Sequence, residues 1–231
     1  MLNKKMRSGF AVVPLALSLS VVPIAFTVLG GCASPQSSGD AQQTMREAET
    51  TLSNFQRDPD MVWLQQNIGH AKAVLISPRI FQAGFVIGGS GGNLLVIARD
   101  GSRWYGPAFY KIGSGSIGLQ AGAEAAEMVG LVMTDKGMDS LLSTSFKLGG
   151  DVSIAAGPVG AGTGAPIPAD MVVYTRAKGL YGGLNLNGTV ISADDLGNRA
   201  FYGTPAKPVD ILVKHTVTSE RGAPLTGMVS R

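Results

Sequence analysis

From Ala41 to Phe55, the apolar residues Met45, Ala48, Leu52 and Phe55 recur at helical spacing and share one stripe, which predicts an amphipathic helix. Asp58-Pro59 then reads as an N-cap followed by proline at the first helical position. In the helix it would open, Met61, Leu64, Ile68 and Ala71 share a face. After Pro78 the hydrophobic period falls to two. Phe85–Ile87 and Leu94–Ile97, separated by the run GGSGGN, predict a hairpin whose turn is that glycine run. Through SGSIGLQAGAE, Ile117, Leu119, Ala121 and Ala123 alternate with Ser116, Gly118, Gln120 and Gly122, as in a half-buried strand. EMVGLVMTD continues as a more uniformly apolar strand. Asp135 to Leu142 predicts a short helix capped by Thr134. Strands resume at Asp151–Ala156, Met171–Arg176, Gly179–Leu186 and Thr189–Ser192, with the loop GPVGAGTGAPIPAD among them. A last helix is predicted around Ala193–Phe201, and the tail beyond His215 is expected to be loosely held.

Eight to ten short strands with three or four helices make an α+β chain dominated by β structure. Glycine supplies 32 of the 231 residues, about twice the ordinary frequency. The glycines are aperiodic and sit among apolar residues, so they belong to a folded domain. Glycines inside strands mark strong bending or close sheet approach. The expected architecture is a bent antiparallel sheet, barrel-like or sandwich-like, with a few short helices.

The amino-terminal segment has a different character. Lys4, Lys5 and Arg7 precede an uncharged run from Phe10 to Leu29 that contains Pro14 and Pro23. Its length alone would suit a membrane span of about 20 residues, although prolines disfavour a regular helix. Its ending decides between the two. Leu29-Gly30-Gly31-Cys32 places small residues before the only cysteine, as at a processed export signal. The segment resembles the lipobox of bacterial lipoproteins, which implies a signal peptide over residues 1–31 and diacylglyceryl and acyl (palmitate-type) chains on Cys32. Residues 32–43, rich in Ser, Gln and Ala, read as a solvated tether. Ala33 in place of aspartate after the cysteine implies, by the same resemblance, anchoring at the outer membrane on its periplasmic face. The helix after the tether has two settings open to it, a lipid surface or the core, and its stripe favours the core.

Removal of the signal changes the charge. It carries three of the 19 basic residues and none of the 16 acidic ones, which leaves 16 of each sign. Recognition of a nucleic-acid backbone needs clustered cations, and the chain has no Lys/Arg run. With Cys32 lipidated, no cysteine remains for a disulfide, a thiolate metal site or a nucleophile.

Three motifs invite chemistry. Gly113, Gly115 and Gly118 match the dinucleotide spacing G-x-G-x-x-G, but the alternation around them predicts a strand where a helix must open. Gly88, Ser90 and Gly92 match a nucleophile elbow, with Asp194 or Asp195 and His215 following in Ser-Asp-His order. An elbow needs strand-turn-helix, whereas NLLVIARDG after Ser90 reads as strand. His70 and His215 have no neighbour at ligand spacing, and Asp194-Asp195 read as a helix start. The expectation is a non-enzymatic protein without metal or cofactor.

Five blocks in order resemble the SYLF domain family: AKAVLISPRIFQAGFVIGGSGGNLL, RWYGPAFYKIGSGSIGLQAG, GGDVSIAAGPVG, KGLYGGLNLNGTVI and NRAFYG. WYGPAF departs from a usual Trp-Ser-x-Pro run, and LISP lacks a common Phe before the proline. The resemblance covers about Leu52 to Gly203, within a domain drawn over 44–210 and followed by a 211–231 tail. It implies phospholipid binding, with an anionic bacterial lipid in place of phosphoinositide. An exported location argues against the actin partner of yeast members. Headgroup binding asks for a few cations beside apolar groups. Lys72, Arg79, Arg176 and Lys178, which flank or open the family blocks, are the candidate lipid-binding residues, with Trp63 and Trp104 as interfacial aromatics. The alternative expectation is a structural or protein-interaction envelope lipoprotein without a lipid ligand.

Overall fold

The computed structural model describes residues 37–84, 87–117, 122–157, 167–179 and 186–230, without the side chains at 87, 116, 117, 122, 178 and 179. Cys32, the signal segment, Gly118 and most of the expected strand from Gly179 to Leu186 lie outside the described residues.

Helix α1 (Ser38–Arg57) starts at a capping box in which the Ser37 hydroxyl accepts from the Asp40 amide and the Asp40 carboxylate accepts from the Ser37 amide. Its stripe of Met45, Ala48, Leu52 and Phe55 is buried, so the core setting holds. The second helix, α2 (Val62–Asn67), begins later than Asp58-Pro59 predicts, with Met61 at its N-cap. Asp58 instead ends α1, with its amide donating to the Phe55 carbonyl. Met61, Leu64, Ile68 and Ala71 are nevertheless all buried.

Among the described residues, eight strands form one curled, half-barrel sheet. They are β1 (Ala73–Gly84), β2 (Ile87–Asp100), β3 (Arg103–Ile117), β4 (Gly122–Val132), β5 (Ser145–Lys147), β6 (Ile154–Ala156), β7 (Met171–Gly179) and β8 (Val190–Ala193). Their order is β5-β8-β3-β2-β1-β4-β7-β6, antiparallel except for β6 on β7. The α+β, strand-dominated expectation holds.

The glycine run is not the hairpin turn. Residues Gly88 to Asn93 lie inside β2 and pair with β1 on one side and β3 on the other. The β1–β2 pairing instead runs to Gly84 opposite Gly88, and Phe85 and Val86 of the expected strand lie outside the described residues. Pro78 shows why glycine is needed within the strand. Proline cannot donate to a ladder, and β1 carries an extra residue between Ile76 and Arg79, a bulge read against both neighbours. The Ser77 hydroxyl donates 2.6 Å to the Asn93 carbonyl there. A Cβ on Gly92 would lie 2.3 Å from the Arg79 carbonyl oxygen, so only glycine fits opposite the bulge.

The bulge also inverts the faces of β1. Ile76 belongs to the core cluster with α1, while Ile80 belongs to the cluster on the other face. The expected single strand through Ile117 and Ala123 is likewise two strand ends. β3 stops at Ile117 and β4 starts at Gly122, on opposite sides of the β1–β2 pair.

Both faces of the sheet are covered at one end. On the outer face α1, α2, α4 (Asp195–Tyr202) and α6 (Ala223–Gly227) contribute Leu52, Leu64, Phe201 and Leu225. On the inner face α3 (Asp135–Leu142), β5 and α5 (Pro208–Leu212) contribute Leu141, Phe146 and Ile211. Thr134 caps α3 and Asp194 caps α4, as the sequence predicts. The tail is docked rather than loose. Leu225 and Val229 are buried, Gln56 donates to the Met228 carbonyl, and Arg221 bonds the Phe201 carbonyl while its guanidinium stacks on that ring.

Candidate functional site

The glycine-rich end of the sheet, beyond the bulge, has two distinct faces. On β1 the outward Arg79, Phe81 and Ala83 are exposed, whereas the inward Ile80, Gln82 and Gly84 are buried or half-buried. Strand register extends the outer face sideways. Gly113, Gly91, Phe81, Ala125 and Lys178 form one row across β3, β2, β1, β4 and β7. Lys111, Asn93 and Arg79 form the next row across β3, β2 and β1.

Phe81 stands on this face among glycine and alanine, 41% exposed, with the Arg79 guanidinium 5.6 Å from its ring centroid. An accessible aromatic beside a cation, on a floor of small residues, can enter a lipid interface while the cation meets phosphate.

The four sequence candidates are not brought together. Arg79 and Lys178 share the outer glycine-rich face, the latter by register alone, since its side chain is outside the described set. Arg176 is on the same face but is held by the protein. It pairs with Asp58 at the end of α1, approaches Glu127 at 3.7 Å and lies 4.8 Å over the Phe55 ring. It is a tie between α1, β4 and β7. Lys72 precedes β1 at its opposite end, roughly 20 Å along the strand from Arg79, and pairs with Asp135 at 2.8 Å. Trp63 and Trp104, expected at an interface, are instead core residues at 4% and 9% exposure. Both belong to the cluster beneath α1, where an indole fills more volume than any aliphatic side chain.

Two residues on this face were not singled out from the sequence. Phe81 follows a proline inside a strand, and such a proline signals a bulge and thus a change of face. Lys111 donates to Asn93 at 2.5 Å and lies 3.6 Å from the buried Asp194 carboxylate.

The motifs resembling catalytic or nucleotide sites dissolve into sheet structure. Gly113 and Gly115 lie within β3 with no helix opening after them among the described residues. The Ser90 hydroxyl shares a 2.8 Å hydrogen bond with Ser114 across the strands. His215 stacks on Tyr105 at 3.5 Å and faces Asp100 at 4.0 Å. Asp100 lies roughly 30 Å along β2 from Ser90. Asp194, His215 and Ser90 therefore form no triad. Among the described residues no group of three or more His, Cys, Asp or Glu side chains converges.

Comparison with known proteins gives a consistent family. The family model Ysc84, described as Las17-binding protein actin regulator, matches residues 113–231. An SH3 domain-containing protein, PJ696.02, of Schizosaccharomyces pombe is 34% identical over 58% of this chain and 33% of its own length. The human SH3 domain-containing YSC84-like protein 1 is 27% identical over 73% of this chain and 51% of its own. LAS seventeen-binding protein 3 of Saccharomyces cerevisiae is 31% identical over 54% of this chain and 29% of its own. The chain thus spans about half, or less, of the curated relatives it matches. No solved structure matches.

Proposed function

The chain belongs to the Ysc84 family, the SYLF family of the sequence resemblance, and we propose that its outer sheet face binds phospholipid without catalysis. The observation that carries this reading is Phe81, exposed on a bare strand face beneath the Arg79 guanidinium. The register that places Lys178 in the same row as Phe81 adds a second cation position. Cations near an anionic surface contribute on the order of 1 kcal/mol each and weaken with salt. The aromatic ring adds an apolar contribution that salt does not screen.

The reading places the protein at the outer membrane, anchored through Cys32 and facing the periplasm. Among the described residues no helix is long and apolar enough to cross a membrane. A lipid-anchored protein does not need its domain to find a membrane, so the domain's task is recognition at, or between, membranes.

Co-sedimentation tests this. The segment from Ser37 onward carries the capping box, both cores and all eight strands but lacks Cys32. It should pellet with anionic vesicles at low salt, pellet less as salt rises, and remain in solution with zwitterionic vesicles. A segment that stays in solution with every vesicle contradicts the reading.

The pairing of Lys72 and Arg176 within the protein supports a second reading, a protein-interaction lipoprotein that binds no lipid. Relatives carrying Las17-binding in their names set that precedent for the family. Indifference to all vesicles would favour it.

A further inference from the structure

The inner face of the same sheet end has the opposite character. Register aligns Ser114, Ser90, Gln82 and Glu124 in one polar row across β3, β2, β1 and β4. The row beneath is apolar and small, with Ile112, Gly92, Ile80 and Ala126 in register. Gly84, Gly88 and Gly122 follow towards the strand ends of β1, β2 and β4, with Ser116 in the matching position of β3.

Glu124 is only 4% exposed, and neither of its carboxylate oxygens has a hydrogen-bond partner among the described residues. On β7 the inward positions beside it are Thr175, Ala177 and Gly179, so register brings no lysine or arginine to this face. A buried carboxylate without donor or countercharge costs several kcal/mol, unless it takes up a proton or a cation. Burial accordingly raises its pKa above the ordinary glutamate value.

We propose that this inner face binds a primary ammonium group, with Glu124 as its charged acceptor and Gln82 as its neighbour. An ammonium carries three N–H donors. The two free oxygens of Glu124 and the amide oxygen of Gln82, directly opposite on β1, supply three acceptors. Opposed side chains start about 5 Å apart at Cβ, a separation one ammonium spans. A quaternary ammonium is disfavoured because it calls for an aromatic cage, and this row contains no aromatic residue. A divalent metal is disfavoured because the row offers a single carboxylate. The ammonium can come from an ethanolamine phospholipid headgroup or from a free amine. The inference stands apart from the outer-face reading, which rests on Arg79 and Phe81.

The test uses the full chain in lipid nanodiscs, following the carboxyl carbon resonance of Glu124 while ethanolamine hydrochloride is added at constant ionic strength. The expected result is a saturable shift that tetramethylammonium chloride does not reproduce. Glu124→Gln should weaken ethanolamine binding about tenfold or more, as expected for loss of a charged hydrogen-bond acceptor. Arg79→Ala should leave it unchanged, so failure of the outer-face reading remains distinguishable. A shift already present in phosphatidylethanolamine discs, and absent from phosphatidylglycerol discs, assigns the headgroup as the source. A shift that appears only with added ethanolamine assigns a free amine. An unmoved Glu124 resonance in every arm, or Glu124→Gln binding as tightly as wild type, overturns the proposal. If Glu124→Gln does not fold, the wild-type titration decides alone.

Discussion

Asn198 brackets the backbone of Phe109: its side-chain oxygen accepts from the Phe109 amide at 2.8 Å, and its side-chain nitrogen donates at 3.2 Å to the Phe109 carbonyl, which also accepts from the Asp194 amide at 3.0 Å. A fully buried amide on α4 thereby replaces a neighbouring strand where β8 has not yet begun to pair with β3. Asn198→Ala leaves the buried Phe109 amide without an acceptor, while the Phe109 carbonyl keeps the Asp194 amide. Leaving one buried backbone donor unmet costs about 1–3 kcal/mol, and Asn198→Ala should destabilise the domain by about that much in urea unfolding. Leu196→Ala, on the same helix at 59% exposure, should change stability by less than about 0.5 kcal/mol.

Asp170 joins three elements. Its carboxylate accepts from the Thr134 hydroxyl at 2.7 Å and from the Ser153 amide and hydroxyl at 2.9 and 2.8 Å, with Lys136 at 3.4 Å. These donors, Thr134 first, hold its carboxyl well below the usual carboxylate range. A depressed native pKa means that the unfolded chain takes up a proton first. The stabilisation is complete above the ordinary value of 3.8 and is lost as pH falls below it towards the native value. Wild-type thermal stability should drop between about pH 4 and pH 2, and Asp170→Asn should be less stable at pH 7 with a flatter acid limb. Parallel acid limbs for the two proteins would contradict this.

The carboxy-terminal segment belongs to the fold. Leu225 is fully buried in the cluster beneath α1, and truncation of a buried leucine costs about 2–5 kcal/mol. Leu225→Ala should lower the denaturation midpoint accordingly, while Pro224→Ala, at an exposed position, should not. A loosely held tail would show no difference between the two.

Much of this fold is legible in the residues. The α1 stripe, the Thr134 and Asp194 caps and the strand-rich class follow from periodicity and from side chains that compete for backbone amides. Three features are not legible. Gly88, Gly89, Gly91 and Gly92 carry no side chain, so no alternation marks this run as strand, and turn chemistry is the natural reading. The docked tail has widely spaced anchors, Leu225 and Val229, whose partners lie far away in sequence. The role of Arg176 depends on Asp58, which only the packing of α1 against β7 brings near. The site shares this limit: a basic residue reads alike in sequence whether it faces lipid or a carboxylate.

Arg176 and Arg79 should therefore separate in experiment. Arg176→Ala removes the partner of Asp58 and of Glu127, both partly buried. It should lower stability, and a double-mutant cycle with Asp58→Ala should show coupling. Arg79→Ala, at an exposed position, should leave stability within about 0.5 kcal/mol while weakening attachment to anionic vesicles.

The most direct test of the lipid-binding account places a reporter at residue 81. Trp63 and Trp104 are buried, so a tryptophan introduced as Phe81→Trp on the segment from Ser37 is the accessible indole. Its fluorescence is followed with anionic vesicles whose acyl chains carry bromine, a short-range quencher. The account predicts quenching of the Phe81→Trp protein beyond that of wild type, reduced by salt and by Arg79→Ala. Equal quenching of the two proteins, with bound protein verified in the pellet, would show that this face does not enter the bilayer.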